Sequence, residues 1–163
     1  QLKSGELTWD ALALNKNFDR QADAGRDSNF YSTGLSYGHL FLQGKLAVQL
    51  GLHAFVEDAA DSRFSNDGWE TFVGANVVAW ENGSVFGRYS YKEAKHDGLE
   101  AIYNLARDET ENRMEVGFGH NFKESVLKDW RLSGSWQFTD SRSNVSIYTY
   151  EREVVGVNLG RSF

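Results

Sequence analysis

Proline and cysteine are both absent from the 163 residues, and methionine occurs once. Without cysteine there is no disulfide framework, no thiolate zinc site and no cysteine nucleophile. No stretch of the chain approaches the roughly 18 consecutive apolar residues that a membrane-spanning helix needs. Positive charge is also scarce. The 17 Lys and Arg are outnumbered by 23 Asp and Glu, the net charge is −6, and no basic cluster offers a footprint for nucleic acid. No signal peptide is visible at Gln1, as expected of a processed or partial chain. The mean hydropathy of −0.52 does not exclude a membrane, because a transmembrane barrel needs only half of each strand to be apolar.

Aromatic residues and glycine are plentiful: five Trp, seven Tyr, eleven Phe and sixteen Gly. This composition favours strands over helices. The dominant period is two. In FYSTGLSYGHLF, Tyr31, Thr33, Leu35, Tyr37, His39 and Phe41 share one face, and Ser32, Gly34, Ser36 and Gly38 the other. KLAVQLGLHAFV, RMEVGFGHNF and WRLSGSWQF alternate in the same way. The phase is mixed in LTWDALALNKNF and WETFVGANVVAW, where a bulge is possible. Eight strands are predicted, at 6–18, 29–42, 45–57, 69–81, 84–94, 112–123, 129–139 and 147–163. Short connections (QGK, ENGS) alternate with long polar ones, and LEAIYNLARDE is a candidate short helix within its loop. The prediction is a single all-β domain over 1–163, an antiparallel up-and-down transmembrane barrel of about eight strands.

The alternation has to be assigned an inside and an outside. A soluble barrel places its bulky apolar residues inside, and an outer-membrane barrel inverts this. Gly34, Gly38, Gly51, Gly117, Gly119, Ser133 and Ser135 lie on the polar face and suit a narrow interior, whereas Leu, Val, Phe and Trp on the other face would overfill it. The aromatics Tyr31, Trp69, Trp80, Tyr91, Trp130 and Phe163 lie near strand ends, where lipid–water interfaces place such rings. In the last strand Glu153 lies ten residues before Phe163 on the same face. At ~2.5 Å of axial rise per tilted residue that is about 25 Å, the height of an apolar band. Arg161 can snorkel to the near surface.

The alternating final strand, with Val155, Val157, Leu159 and Phe163 on its apolar face, resembles the C-terminal assembly signal of bacterial outer-membrane β-barrels. It departs from that pattern at Arg161, where the family prefers tyrosine. The closing segment also resembles that of outer-membrane porins and of the barrel of surface lipoprotein assembly modifiers, through Ser143, Asn144, Tyr148, Tyr150, Arg152 and Phe163. The resemblance implies residence in the outer membrane with both termini periplasmic. It also implies insertion by the barrel assembly machinery and contact with lipid and lipopolysaccharide.

Chemistry is sparse. His120 shares its face with Phe118 and Phe122, His53 points inward near Gln49, His39 faces lipid and His96 falls in a long loop, so no nucleophile–base pair can be assigned. No catalytic residue, metal site or cofactor is expected. Acidic loop residues such as Asp61, Asp97, Glu100 and Glu109 match no calcium-loop spacing. The inward charges Arg88, Lys92, Arg113, Glu115, Arg131 and Arg152 are expected to form a salt-bridge and hydrogen-bond network that plugs the lumen, the alternative being that it lines a polar pore or gate. Three functions follow as expectations: an outer-membrane barrel with a structural, adhesive or narrow-pore role; the barrel portion of a larger transport or export protein, with a periplasmic domain or partner before Gln1; and a lipid-modifying enzyme.

Overall fold

The computed structural model describes residues 5–124 and 126–161. Eight strands follow one another as β1 (Gly5–Lys16), β2 (Ser28–Phe41), β3 (Leu46–Ala59), β4 (Asn66–Trp80), β5 (Gly83–Glu100), β6 (Leu105–Asn121), β7 (Trp130–Ser143) and β8 (Tyr150–Arg161). They form one antiparallel sheet in sequence order, an up-and-down meander as predicted. The turns at one end are short, and chain reversal relies on left-handed backbone at Leu42, Gln43 and Gly44 between β2 and β3, and at Asn82 between β4 and β5.

Three expectations need correction. The connection predicted at 95–111 is a continuation of β5 and β6, which extend to a turn at 101–104 instead of enclosing a helix. The period of two persists there, with Ala94, His96 and Gly98 buried and Lys95, Asp97 and Leu99 exposed, but it runs through polar residues and so carries no apolar signal. His96, Asp97, Glu100, Asp108, Glu109 and Glu111 are therefore strand residues. Second, β1 has no bulge: its register with β2 is unbroken from Gly5↔His39 to Lys16↔Ser28. The phase change in its sequence arises because Leu12 and Leu14 lie on the same face as Ser32 and Phe30, the otherwise polar one. In β4 the register does shift, between Val78 and Trp80. Third, the sheet is not closed, because β1 and β8 do not pair with each other. Every residue of both strands is exposed or half-exposed.

The sheet has two unlike faces. Registered neighbours share a face, so the pairing places Ser36, Gly51, Phe72, Ser90, Arg113, Thr139 and Arg152 in one lateral row of what is called here the inner face. Thr139 is fully buried, and Ser28, Ser36, Ser90 and Ser141 are nearly so. The outer face carries rows such as Tyr37, Leu50, Val73, Tyr89, Met114 and Phe138. Leu50, Leu52, Val73, Val155 and Val157 are all exposed, Val157 by 75%. Among the described residues the buried hydrophobics are Phe72, Ala94 and Val145. The distribution is the reverse of a water-soluble barrel, where burial of apolar area drives folding.

Candidate functional site on the inner face

Glycine determines how the inner face is built. Long inner side chains lie across the strand beside them, and the residue beneath is glycine. The His53 ring covers Gly34, Phe72 covers Gly51, Phe55 covers Gly68 and Phe86 covers Gly117. A Cβ at Gly117 would stand 2.6 Å from both Phe86 Cε1 and the Gly134 carbonyl oxygen, and one at Gly68 would meet the Glu93 carbonyl oxygen before Phe55 Cζ at 2.7 Å, closer than real contacts allow. At these four positions glycine makes room for rings, whereas Gly38 and Gly74 have no ring above them and line open space.

Cations then lie over those rings. The Arg88 guanidinium sits 3.9 Å from the Phe72 ring centre, Lys92 Nζ lies 4.7 Å from that of Phe55, and Lys16 Nζ lies 5.1 Å from that of Phe30. Phe30 and Phe55 stack at 6.0 Å, and His53 stacks on Phe72 at 5.8 Å. His53 Nε2 reaches the Asp10 carboxylate at 3.1 Å, two strands away. Rungs of ring and cation therefore cross from β1 to β5.

Of the six inward charges read from the sequence, Arg88 and Glu115 are opposed in register, Arg113 and Arg152 share the adjacent row, and Lys92 lies in the row beyond. Arg131 is apart, opposite Asn121 near the short turns. Their expected continuous ion-pair network is not formed. Arg113 reaches Glu111 at 2.8 Å, but Arg88, Lys92, Arg131 and Arg152 have no ion pair among the described residues. The faces of aromatic rings take the place of carboxylates for Arg88 and Lys92. A cavity of about 1100 Å³ opens at the short-turn end of this face, lined by Glu6, Gln49, Phe72, Asn76, Phe86 and Arg88 among others.

The densest polar cluster centres on Arg107, which was not singled out from the sequence, although His96, Glu100, Glu109, Asn144 and Tyr148 around it were named there for other reasons. Arg107, at the start of β6, is 8% exposed. Its guanidinium lies 4.0 Å from the Tyr148 ring centre, and its Nη2 is 3.0 Å from His96 Nε2. Glu100 and Glu109 flank it at 3.7 and 3.3 Å. His96 Nδ1 lies 3.2 Å from the Arg63 carbonyl and Nε2 3.4 Å from Glu109 Oε2, and Arg107 Nη2 stands 3.2 and 3.0 Å from the two ring nitrogens. Tyr148 donates to Glu100 at 2.9 Å, and burial together with that carboxylate pushes its phenol up. Asn144 fastens the β7–β8 connection to β6 by donating to the Ala106 carbonyl at 2.8 Å and accepting from the Asp108 amide at 2.9 Å. Gly98 lies against the backbone of Ser62 and Arg63 and donates to the Ser62 carbonyl at 2.9 Å. The β3–β4 connection, the β5–β6 hairpin and the β7–β8 connection are thereby joined around one arginine. The only sequence signal for this cluster was the period of two continuing through Ala94, His96 and Gly98.

Asp61 closes the β3–β4 connection by accepting from the backbone and side chain of Arg63, which lowers its carboxyl to about 2 from an ordinary 3.8. A carboxyl lowered on folding contributes stability that is fully present above its unfolded value and is lost as pH falls through the folded one. The protection of the Gly98 amide, measured by its exchange rate relative to an unprotected amide at the same pH, is therefore expected to hold down to about pH 4 and to fall toward pH 2. Asp61→Asn is expected to lower that protection already at neutral pH.

On the outer face, Trp69 and Tyr91 pack at 5.3 Å and lie with Tyr31 toward the long connections. Trp80 and Trp130 lie toward the short turns, where the Trp80 indole donates to His120 Nδ1 at 2.9 Å. His39, also on this face, meets the Tyr37 hydroxyl at 2.9 Å. Val155, Val157 and Leu159 continue the apolar rows along β8, and Phe163 lies outside the described residues. Among the described residues no serine or threonine hydroxyl is within hydrogen-bonding distance of a histidine ring. No protein-family model, curated protein or solved structure matches this chain.

Proposed function

We propose that the chain is a wall of a bacterial outer-membrane β-barrel, with the outer face against lipid and the inner face lining a polar lumen. One observation carries this reading. Bulky apolar side chains are exposed on seven of the eight strands, all but β7, while Ser28, Ser36, Ser90, Thr139 and Ser141 on β2, β5 and β7 are buried. Such a face is unfavourable in water and suits a hydrocarbon layer. Aromatic rings toward both ends of that face suit the two interfaces. The role that fits best is structural, adhesive or that of a narrow passage, because rings, cations and the Arg107 cluster fill much of the inner face. The long connections lie outside the cell and the short turns in the periplasm, with insertion by the barrel assembly machinery and lipopolysaccharide as a neighbour.

A second reading, the barrel portion of a larger transport or export protein, is favoured by the unpaired edges of β1 and β8. Among the described residues β1 and β8 do not pair, so in this reading further strands complete the barrel.

Cysteine labelling of intact cells tests the membrane reading. A membrane-impermeant maleimide is expected to label Ile102→Cys, at the tip of the β5–β6 hairpin, and to miss Gly44→Cys and Leu50→Cys. After the outer membrane is permeabilised, Gly44→Cys becomes labelled and Leu50→Cys stays protected. Aqueous labelling of Leu50→Cys in the folded protein would exclude lipid at the outer face, and a reversed pattern would invert the topology.

A further inference from the structure

Arg88 presents an unused guanidinium to the cavity at the short-turn end. It lies on β5 between its two registered neighbours, Gly74 on β4 and Glu115 on β6. The side chain takes the β4 side, where its guanidinium covers the Phe72 ring, and it forms no ion pair with Glu115. Among the described residues none of its five N–H donors meets a protein acceptor. Arg88 is exposed, and the space it is exposed to is the cavity of about 1100 Å³. A few polar donors on an apolar, concave wall are the usual makings of a small-ligand site.

The register shows what lies beside that guanidinium. Glu6, Gly38, Gln49, Gly74 and Arg88 form one lateral row of the inner face, from β1 to β5. Next to Arg88 the row is open. A Cβ at Gly74 would come no nearer than 3.5 Å to any atom, and one at Gly38 would find only the Val48 carbonyl oxygen, at 4.0 Å. The adjoining row toward the short turns is mostly apolar, with Leu40, Ala47 and Phe86 beside Asn76. On the other side Phe72, 6% exposed and seated over Gly51, forms a fixed platform beneath the guanidinium. That platform holds the planar fork in place before any ligand arrives, which lowers the ordering cost of binding.

We propose that this cavity binds a small monocarboxylate with an apolar body. The carboxylate accepts two parallel hydrogen bonds from the Arg88 fork. The body lies over Gly74, toward Gln49 and Gly38, against the apolar row. Glu6 limits the charge of the ligand. It stands at the far end of the row, four strands from Arg88, or about 19 Å along the sheet at ~4.8 Å per strand. One negative charge at Arg88 is therefore left undisturbed, and a second one farther along the row is opposed. The proposal goes beyond the membrane reading and does not require it, since it concerns the inner face alone.

The test is equilibrium dialysis of labelled benzoate against the 163-residue chain refolded in detergent micelles, with folding of each variant checked by its β-sheet circular dichroism. The expected result is saturable binding at one site, about tenfold or more weaker in Arg88→Gln. Gly74→Leu, which keeps the cation and fills the seat of the ring, is expected to weaken it as much. Arg131→Gln, which removes an inner-face cation outside the cavity, is expected to leave it unchanged. Benzamide, with the same ring and no charge, is expected not to compete. No saturable binding by the folded parent would overturn the proposal, as would undiminished binding by folded Arg88→Gln or Gly74→Leu. Equal loss in Arg131→Gln would overturn it in favour of diffuse attraction to the face. Displacement by inorganic phosphate as effective as by unlabelled benzoate would overturn the apolar seat and leave a bare anion site.

Discussion

Replacing Arg107 by leucine is expected to cost about 3–5 kcal/mol of folding stability, because the carboxylates of Glu100 and Glu109 would be left without their cation. The loss should appear as a lower urea midpoint with an unchanged slope. The first visible consequence is local. Arg107 lies between the His96 and Tyr148 rings, so its loss unfastens the 59–65 and 144–149 connections from the β5–β6 hairpin together. Limited proteolysis should therefore cut both connections in the variant at concentrations that spare the parent. Arg107→Lys is expected to restore little. An ammonium keeps the charge but loses the planar group that packs between two rings. Replacing both carboxylates as well, in Glu100→Gln/Glu109→Gln/Arg107→Leu, should recover much of the loss. The penalty arises from unpaired charge, not from missing contacts alone. Full stability of the single variant would show that the cluster is solvated and holds nothing.

The second large effect is expected at Gly51. A Cβ there would run into the Phe72 ring, which is itself among the few buried apolar groups. Gly51→Val should cost about 3 kcal/mol, since overpacking displaces the Phe72 ring from its seat toward the neighbouring cavity. Phe72→Ala alone should cost a comparable amount through the void it leaves. The diagnostic is the double variant. If the ring and the glycine act as one unit, Gly51→Val/Phe72→Ala loses less than the sum of the two, by about 1–3 kcal/mol in a double-mutant cycle. Strict additivity would mean that the glycine serves backbone conformation and that the ring above it is incidental.

These two sites differ in how far the sequence disclosed them. The strands were legible wherever one face was apolar. The alternation through Tyr31, Leu35 and Phe41, or through Leu46, Leu50 and Leu52, announces itself residue by residue, and eight strands in meander order follow from it. Where the chain leaves the apolar zone, as at 95–100 and 105–111, the same geometry continues in polar residues and the signal disappears. Arg107 was hidden for that reason, and also because Arg63, the β5–β6 hairpin with His96 and Arg107, and Tyr148 meet from three places distant in the chain. The inner glycines were legible as a small-residue face but not as seats for rings, because Phe72 and Gly51 are brought together by register alone. The missing ion pairs have a similar cause. Charge alternation shows that Arg88 and Lys92 point inward, but not that Phe72 and Phe55 arrive beneath them. Closure is the least legible property of all. It depends on the summed curvature of the sheet, and no local pattern in β1 or β8 records it.

The meander has a kinetic consequence. Every pairing joins strands that are consecutive in sequence, so each requires the closing of only a short loop. Such a sheet can be laid down one hairpin at a time, each new strand templated by the edge that the last one exposed. Only the step that seals the outermost edges lacks a local route, because it joins segments at opposite extremes of the order or from separate molecules. Sealing is therefore expected to be the slow phase of assembly, while the preceding hairpins form at rates that dilution leaves unchanged.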